Sequence, residues 1–504
     1  MATRRGMRLV LMVGALWCAG TVPGAVAAAA TSPVTQVPGS PFAAGNDPAS
    51  VAFSPAGGLL ASSNIGDDTL GVYAVTAAGA LTPVGGSPFG AGDDPVSVAF
   101  SPDGHALAVA DNDQSNGGYV SVYTVAGQTV TSVTGSPFAT GPNDSTGVGP
   151  EAVAFSPDGK LLATANAADD TVTMFSVAAD GTLTRLGVTS TGSTANGGEP
   201  ESVSFSPDGS QLATADLSSG TVSIFSVGTG GTLTLQGTPS VGPYPQSAAF
   251  SPAADQLVVA TVGESFPPPT PAIPAATTLY SVAAAGTLAE VSSVAGAGWL
   301  SFSPDGDLLA SAMGQGSQGL GLYAVDGDGT LTAVPGSPYA TQANALTFSA
   351  GFSPVDGLLA TANEPNNNDV GDTFSMFQIA PPACAATGAT TGEGQAVTVP
   401  LSCTNPTGSP FTYEVAAPPA HGTLGAIDQS TGQVTYTPDA AFSGEDPFAY
   451  RALADGQVSP DATASVTVNP ASGGGSGHHH HHHGPGRGRR HRRRPWRWPS
   501  PRRR

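Results

Sequence analysis

Carboxylate and amide side chains recur at one place in the sequence, four to six residues ahead of a repeated Phe-Ser-Pro triplet. Such oxygen atoms coordinate hard cations such as Ca²⁺ and bind polar ligands through hydrogen bonds. Acidic and amide residues also form turns on wet surfaces, so these residues could instead only shape loops. The candidate ligand-binding residues are Asp47, Asp94, Glu151, Glu199, Glu201 and Gln246. The candidate metal ligands are Asp94, Glu151 and Glu201.

Basic residues are nearly missing from the same region. Between Val34 and Ala380 they are His105, Lys160 and Arg185 alone. Hydrolysis of a lactone needs a group that stabilises the oxyanion and a base that works near neutral pH. The sequence also lacks a serine nucleophile motif with a histidine partner. It therefore predicts no catalytic residue and no cofactor, with Ca²⁺ or another divalent cation as the alternative.

The Phe-Ser-Pro triplet marks seven copies of one repeat, spaced 45 to 55 residues apart. Within each copy, short alternating runs rich in Val, Thr, Phe and Tyr are separated by turn sequences such as Ser-Pro-Asp-Gly, which predicts four antiparallel strands. Four strands in each unit of about 50 residues predict a β-propeller. The triplets begin at Phe53, Phe100, Phe155, Phe205, Phe250, Phe302 and Phe352.

The two ends of the repeat array predict that the propeller is closed. The seventh copy lacks its fourth strand, because the run Phe374–Ala380 leads directly into Pro-Pro. An orphan copy of that strand, with the sequence VTQV, lies near the N-terminus at Val34–Val37. We expect this strand to complete the seventh blade, because closure removes the free edge of the sheet.

A second module follows over residues 381–470, where short alternating strands continue without a repeat and predict a β-sandwich. It contains Cys384 and Cys403, an even pair in a chain predicted to be exported, so a disulfide is expected. Residues 471–504 combine a glycine-serine linker, a run of six histidines at His478–His483 and ten arginines, a composition that cannot bury a core. This segment is a native basic tail or, in the alternative, includes a purification tag.

Residues 1–27 have the pattern of a signal peptide, with three arginines, a short apolar run and the cleavage sequence Ala25-Val26-Ala27. The pair Arg4-Arg5 leaves open general secretion or twin-arginine export. The apolar run is too short for a permanent anchor, and no other segment predicts a transmembrane helix. Between signal and tail, three basic residues stand against all 37 acidic residues, which excludes nucleic acid as a partner of the folded body.

The repeat unit Val153–Gly187 resembles the bacterial lactonase-type seven-bladed propellers, including YVTN-like surface repeats, and the resemblance extends over residues 34–380. It implies a sugar-lactone hydrolase. Enzymes of that family tend to place Arg and His just after a proline that leads into the innermost strand. Ala, Val, Glu, Gln and Ser stand at the equivalent positions here, for example in Asp47–Phe53 and Glu199–Phe205.

The second module resembles bacterial immunoglobulin-like and cadherin-like domains through Pro419–Leu424, Tyr436–Asp439 and Phe442–Gly444. Calcium-binding members of that group have an acidic loop after the first long strand. The equivalent loop here, Thr404–Pro410, contains no carboxylate, which argues against calcium at this module.

Together these features predict an all-β protein with a closed seven-bladed propeller at 34–380 and a β-sandwich at 381–470. The predicted function is that of an exported monomeric binding or scaffolding protein, secreted or on the bacterial surface, with a glycan or a protein as ligand. The alternative is a lactone hydrolase with a metal bound at the propeller axis. A cofactor-dependent dehydrogenase propeller would need basic residues or a metal for its cofactor, and the repeats offer almost none.

Overall fold

The structure, a computed structural model, describes residues 32–471 with nine gaps, so the predicted signal peptide and nearly all of the predicted tail lie outside the described residues. The gaps are 114–116, 142–148, 193–196, 254, 265–271, 284–285, 314–318, 343–344 and 366–371. The described residues form β-strands and two short 3-10 helices, Ile65–Asp67 and Ala167–Asp169. None of their helices is long and apolar enough to cross a membrane.

Seven antiparallel sheets follow one another along the chain, and each is one blade of the propeller. Before the first blade lie β1 (Val34–Gln36) and β2 (Phe42–Ala43). Blade 1 comprises β3 (Pro48–Phe53), β4 (Leu59–Asn64), β5 (Thr69–Val75), β6 (Leu81–Pro83) and β7 (Phe89–Gly90). Blade 2 comprises β8 (Pro95–Phe100), β9 (Ala106–Asp111), β10 (Tyr119–Ala126), β11 (Thr129–Ser132) and β12 (Phe138–Ala139).

The next three blades have four strands each. Blade 3 comprises β13 (Pro150–Phe155), β14 (Leu161–Asn166), β15 (Thr171–Val177) and β16 (Leu183–Ser190). Blade 4 comprises β17 (Pro200–Phe205), β18 (Gln211–Asp216), β19 (Thr221–Val227) and β20 (Leu233–Gly237). Blade 5 comprises β21 (Pro245–Phe250), β22 (Gln256–Thr261), β23 (Ala276–Ala283) and β24 (Thr287–Ala295).

The last two blades complete the ring. Blade 6 comprises β25 (Trp299–Phe302), β26 (Leu308–Ala312), β27 (Leu320–Val325) and β28 (Leu331–Ala333). Blade 7 comprises β29 (Ala345–Phe352), β30 (Leu358–Pro365) and β31 (Thr373–Ile379), together with β1 and β2 from the N-terminus.

The Ser-Pro-Asp-Gly turn joins the first and second strands of a blade through hydrogen bonds of its own side chains. In blade 2 the Ser101 hydroxyl donates to Asp103 at 2.6 Å, and Asp103 also accepts the backbone N–H of His105 at 3.0 Å. Gly104 has a φ of +73°, a conformation that glycine adopts without a steric penalty. These local hydrogen bonds and the positive φ of Gly104 therefore explain why the chain reverses at this turn.

The propeller core lies between neighbouring blades rather than in one central cluster. Leu70 and Val72 of blade 1 pack with Leu107 and Val109 of blade 2, and all four side chains are fully buried. Similar clusters join the following blades. Each blade has two faces to bury, so a ring of blades covers every face without a terminal sheet.

Strand β1 closes the ring, which confirms the role predicted for Val34–Val37. It pairs antiparallel with β31, with Val34 opposite Ile379 and Gln36 opposite Phe377. The side chains of Val34 and Val37 are 3% and 4% exposed. The innermost strands β3 and β29 also lie side by side, so blade 1 follows blade 7 directly.

Serine hydroxyls connect the innermost strands of neighbouring blades. The serine involved stands three residues before the phenylalanine of the Phe-Ser-Pro triplet. Its hydroxyl accepts the backbone N–H of a residue in the next blade, as Ser202 does from Ala248 at 2.9 Å. Ser349 accepts the N–H of Val51 and so bridges the closure between blades 7 and 1. The other bridges run from Ser50 to Val98, Ser97 to Val153 and Ser247 to Leu300. Ala152 and Trp299 occupy the same position in blades 3 and 6.

The second module is a β-sandwich with its own core, as the sequence predicts. Its strands are β32 (Ala383–Ala385), β33 (Thr387–Gly392), β34 (Val397–Pro400), β35 (Ser402–Thr404), β36 (Thr412–Ala417), β37 (Gly422–Leu424), β38 (Gln433–Pro438), β39 (Gly444–Ala454), β40 (Gln457–Val458) and β41 (Ala462–Asn469). One sheet has the order β33-β41-β39-β36 and the other β34-β38-β37. Cys384 and Cys403 form the expected disulfide, which joins β32 to β35.

Candidate functional site

The candidate site lies where the chain enters the innermost strand of each blade. Asp47, Asp94, Glu199 and Tyr244 precede the proline that opens this strand, and their φ angles lie between +46° and +51°. Non-glycine residues rarely adopt this left-handed conformation, so the surrounding contacts must hold it. Three of the four residues are candidate ligand-binding residues from the sequence.

Carboxylates from the preceding blade hold this conformation. Asp372 accepts the backbone N–H of Asp47 at 3.0 Å, and Asp68 accepts that of Asp94 at 3.1 Å. In blade 3, Asp170 accepts the N–H of Glu199 at 2.8 Å. These bonds place the loops between second and third strands on the same face as the entry loops. They also give the acidic loop residues a structural task, because a carboxylate that accepts N–H groups stabilises the loop.

A β-bulge follows each of these entries in six blades. The register of β13 against β14 shifts between Pro150 and Ala152, so that Glu151 is skipped in the pairing of the two strands. The same shift occurs in the other five blades. A bulge of this kind turns one side chain away from the alternating pattern of its strand. The bypassed residues, called the bulge ring below, are Ala49, Val96, Glu151, Glu201, Gln246 and Phe348.

The bulge ring is polar on one side and apolar on the other. Glu151, Glu201 and Gln246 of blades 3 to 5 are half-buried, whereas Ala49, Val96 and Phe348 are buried. The structure therefore brings three of the six candidate residues to one equivalent position in three consecutive blades. Asn112 donates from its Nδ2 to Glu151 Oε1 at 2.5 Å.

An aromatic pair completes the apolar side. Trp299 begins the innermost strand of blade 6, and its ring meets that of Phe348 edge to face with 5.1 Å between the centroids. The sequence analysis missed both residues, because neither is titratable or acidic. Comparison of the repeats could have found them. Trp299 stands three residues before Phe302, where the other repeats have Ser or Ala. Phe348 stands four residues before Phe352, where the others have Gly, Ala, Val, Glu or Gln.

Asp111 and Asp216 are acids next to the loops between second and third strands, but both end a second strand, and their side chains are fully buried. Asp111 accepts the Ser121 hydroxyl at 2.6 Å, and Asp216 accepts those of Thr214 and Ser223. Burial raises the pKa of Asp111 to about 7 and that of Asp216 to about 6. These acids connect strands within a blade and are not available to a ligand.

The three basic side chains of the propeller lie away from the candidate site. Lys160 follows the turn between β13 and β14 and pairs with Asp158, at 3.0 Å between Nζ and Oδ2. His105 has the equivalent position in blade 2, next to Asp103. Arg185 is in the outermost strand β16, where it donates to the carbonyl of Gly141. The axial face therefore has acceptors and an amide but no cationic side chain.

Metal binding has no preformed cluster among the described residues. No group of three or more His, Cys, Asp or Glu side chains lies close enough together there to hold an ion. The site predicted for Asp94, Glu151 and Glu201 stays a prediction, since Glu151 and Glu201 share a position around the ring while Asp94 belongs to an entry loop.

Comparison with protein families identifies both modules. Residues 23–133 and 121–250 match the family described as "Lactonase, 7-bladed beta-propeller", and residues 379–469 match "Bacterial Ig domain". Both resemblances expected from the sequence are confirmed. No curated protein matches the chain.

Solved structures share the propeller fold at low sequence identity. Hydrazine synthase of Kuenenia stuttgartiensis is 16% identical, with 70% of this chain and 99% of that chain covered at a TM-score of 0.50. The β-propeller domain of Myceliophteria thermophila Cps50 (Swd1) is 13% identical, with 69% and 100% covered at 0.50. The periplasmic gluconolactonase PpgL of Pseudomonas aeruginosa is 21% identical, with 56% and 83% covered at 0.45. Likeness at these identities concerns the fold alone.

Proposed function

We propose that the protein is an exported, non-catalytic binding protein whose ligand is a glycan bound at the axial face of the propeller. The polar half of the bulge ring carries this proposal. Glu151, Glu201 and Gln246 present carboxylate and amide groups from one equivalent position in blades 3 to 5. Groups of this kind hydrogen-bond the hydroxyls of a sugar in a largely preformed site.

The chemistry of the rest of the site agrees with a neutral glycan rather than with an anionic one. The basic side chains lie on turns and an outer strand, so nothing at the axial face compensates a phosphate or a carboxylate on the ligand. Trp299 and Phe348 add an apolar surface beside the polar half, which suits the C–H face of a sugar ring. A protein ligand at the bacterial surface is the other partner that the sequence leaves open.

Calorimetric titration of the mature protein with neutral oligosaccharides tests the proposal. We use cello- and chito-oligosaccharides as probes, because both present hydroxyls without charge. Glu201→Gln and Gln246→Ala are expected to weaken binding about 5- to 30-fold, since each removes hydrogen bonds worth about 1–2 kcal/mol. Glu290→Gln, an exposed residue on the outermost strand of blade 5, is the matched control and is expected to bind like the wild type.

Two outcomes contradict this function. Equal affinity of the Glu201→Gln variant and the wild type would remove the bulge ring from the site. Clear turnover of a sugar lactone by the purified mature protein would remove the non-catalytic assignment.

A lactone hydrolase is the second candidate, and the match of residues 23–250 to the lactonase family favours it. In this function Asp94, Glu151 and Glu201 would hold a divalent metal, which would supply the Lewis acid for the lactone carbonyl that the side chains of the site lack. Turnover of glucono-δ-lactone must then be lost on addition of a chelator and in Glu151→Ala. Unchanged rates under both conditions exclude the metal mechanism.

A further inference from the structure

One turn of the immunoglobulin-like module packs between two turns of the propeller. In the turn Asp455–Gln457, the backbone N–H of Gly456 donates to Asp305 Oδ2 at 2.8 Å. Gln457 donates from Nε2 to the carbonyl of Ile379 at 3.2 Å. The Gln457 side chain also lies against Gly357, where an added Cβ would come within 2.2 Å of it. The turn thus touches the first hairpins of blades 6 and 7.

Three carboxylates meet at this contact, and two of them already accept hydrogen bonds. Asp305 accepts the Ser303 hydroxyl at 2.6 Å in addition to the N–H of Gly456. Asp455 is buried and accepts from Asn405, Thr407 and Ser409, the polar loop that replaces the acidic loop of calcium-binding domains. Both carboxylates therefore have hydrogen-bond donors within the protein, although burial still raises the pKa of Asp455.

The third carboxylate, Asp307, has no such support. It is half-buried, and no donor among the described residues lies within hydrogen-bonding distance of its carboxyl group. Burial and the carboxylates of Asp305 and Asp455 raise its pKa to about 7. The adjacent turn of blade 7 carries a further acid, Asp356, and none of the three turns contains a basic residue.

We propose that the turn Asp455–Gln457 is a pH-dependent latch, which holds the immunoglobulin-like module against blades 6 and 7 in acid and releases it as the pH rises. Docking desolvates Asp307 and brings it close to a second carboxylate from the module. The docked state therefore binds a proton more tightly than the released state. Docking is strongest where Asp307 is protonated, and it weakens as the pH rises through about 7.

The other blades show that this acid is not needed for the turn. His105, Lys160 and Ser210 occupy the position of Asp307 in blades 2, 3 and 4, where they are exposed to solvent. Blade 5 has an acid, Asp255, at the same position, but it is exposed, whereas Asp307 is half-buried at the turn that contacts the second module. The variant Asp307→Ser copies blade 4 and removes the titrating group without changing the turn.

Small-angle X-ray scattering and hydrogen exchange of the mature full-length chain test the latch between pH 5 and 8.5. We expect the radius of gyration to rise with a midpoint near pH 7. Protection of the Gly456 amide, corrected for the intrinsic pH dependence of exchange, should fall about tenfold, which corresponds to one pKa unit of coupling. Asp307→Ser should stay compact and protected throughout.

Ser210→Asp is the control, because it places an acid at the equivalent turn of blade 4 and should leave the wild-type transition unchanged. The latch is refuted if the wild type shows no transition over this range. It is equally refuted if Asp307→Ser opens with the same midpoint.

Discussion

One position near the end of the second strand carries an amide in some blades and a carboxylate in others, although the backbone around it is equivalent. The residue at this position is Asn64, Asn166 and Asn363 in blades 1, 3 and 7, but it is Asp111 and Asp216 in blades 2 and 4. In blade 3, Asn166 accepts from Thr164 and donates to Thr173, with both bonds under 3.0 Å. An aspartate can accept in the same place but cannot donate unless it is protonated.

We predict that Asp111→Asn stabilises the protein at pH 8 and has little effect at pH 4. The folded-state pKa of Asp111 is raised to about 7, so the folded protein holds a proton that the unfolded chain releases near pH 4. Stability therefore falls as the pH rises from about 4 to 7, by on the order of 3–4 kcal/mol for a shift of this size. Urea unfolding across this range measures it. Asp180→Asn, on an exposed turn, serves as control, and a parallel pH profile in Asp111→Asn would contradict the prediction.

The serine bridges between innermost strands lead to a paired prediction. Ser202→Ala leaves the N–H of Ala248 without its partner and should lower the free energy of unfolding by about 1–2 kcal/mol. Ala152→Ser adds a hydroxyl at the equivalent position, next to the N–H of Val203, and should raise it by up to about 1 kcal/mol. Thermal unfolding of both variants and the double mutant measures the effects. A stabilised Ser202→Ala variant would show that the bridge is not a net gain.

The candidate residues could be predicted from the sequence, but their arrangement could not. Glu151, Glu201 and Gln246 stand out because acids and amides recur at a fixed distance from the repeated phenylalanine. The bulge that sets them apart from Asp47 and Asp94 depends on how two strands pair, and a run of alternating residues does not encode such a shift. The burial of Asp111 could not be predicted either, because the sequence does not show whether this residue ends the strand or begins the loop.

Whole strands were more predictable than sites, because period-two alternation and turn residues both act locally. The boundaries of β13 and β14 follow from the Ser-Pro-Asp-Gly turn between them. The pairing of β1 with β31 joins residues more than 300 positions apart, and it was predictable only because the seventh repeat lacks a strand that the N-terminus supplies. Because the unit repeats, comparing the number of strands in each copy was enough to predict this long-range pairing.

We predict that Val37→Asp opens the ring at blade 7. Val37 is buried beside Met376, and a carboxylate there has no partner within the core. The substitution should cost about 3 kcal/mol or more and expose the edge of β31. Hydrogen exchange should then increase first in Thr373–Ile379. Thr35→Asp, at an exposed residue of the adjoining strand β1, is the control. Loss of protection spread evenly over all seven blades would argue against a local opening.

The molecule as a whole contains two separate kinds of core, one distributed between blades and one inside the sandwich. Tyr436, Tyr450 and Val466 belong to a buried cluster that includes no propeller residue. The modules meet at the turn Asp455–Gln457, a small polar contact. Contacts of this size couple unfolding weakly, so each module should unfold in its own transition.

Reduction of the disulfide separates the two transitions further. The bond between Cys384 and Cys403 closes a loop with a sequence separation of 19 residues, and a loop of that length gives a stabilisation of about 3 kcal/mol. For a module of this size that corresponds to a lower melting temperature by roughly 10–20 °C. Scanning calorimetry of the mature chain, with and without reductant, should therefore show the sandwich transition moving down while the propeller transition stays in place, and the Cys384→Ser/Cys403→Ser double variant should reproduce the reduced profile. A propeller transition that moves by the same amount would mean that the two modules unfold as one cooperative unit, and the polar contact between them would then be much stronger than its few hydrogen bonds indicate.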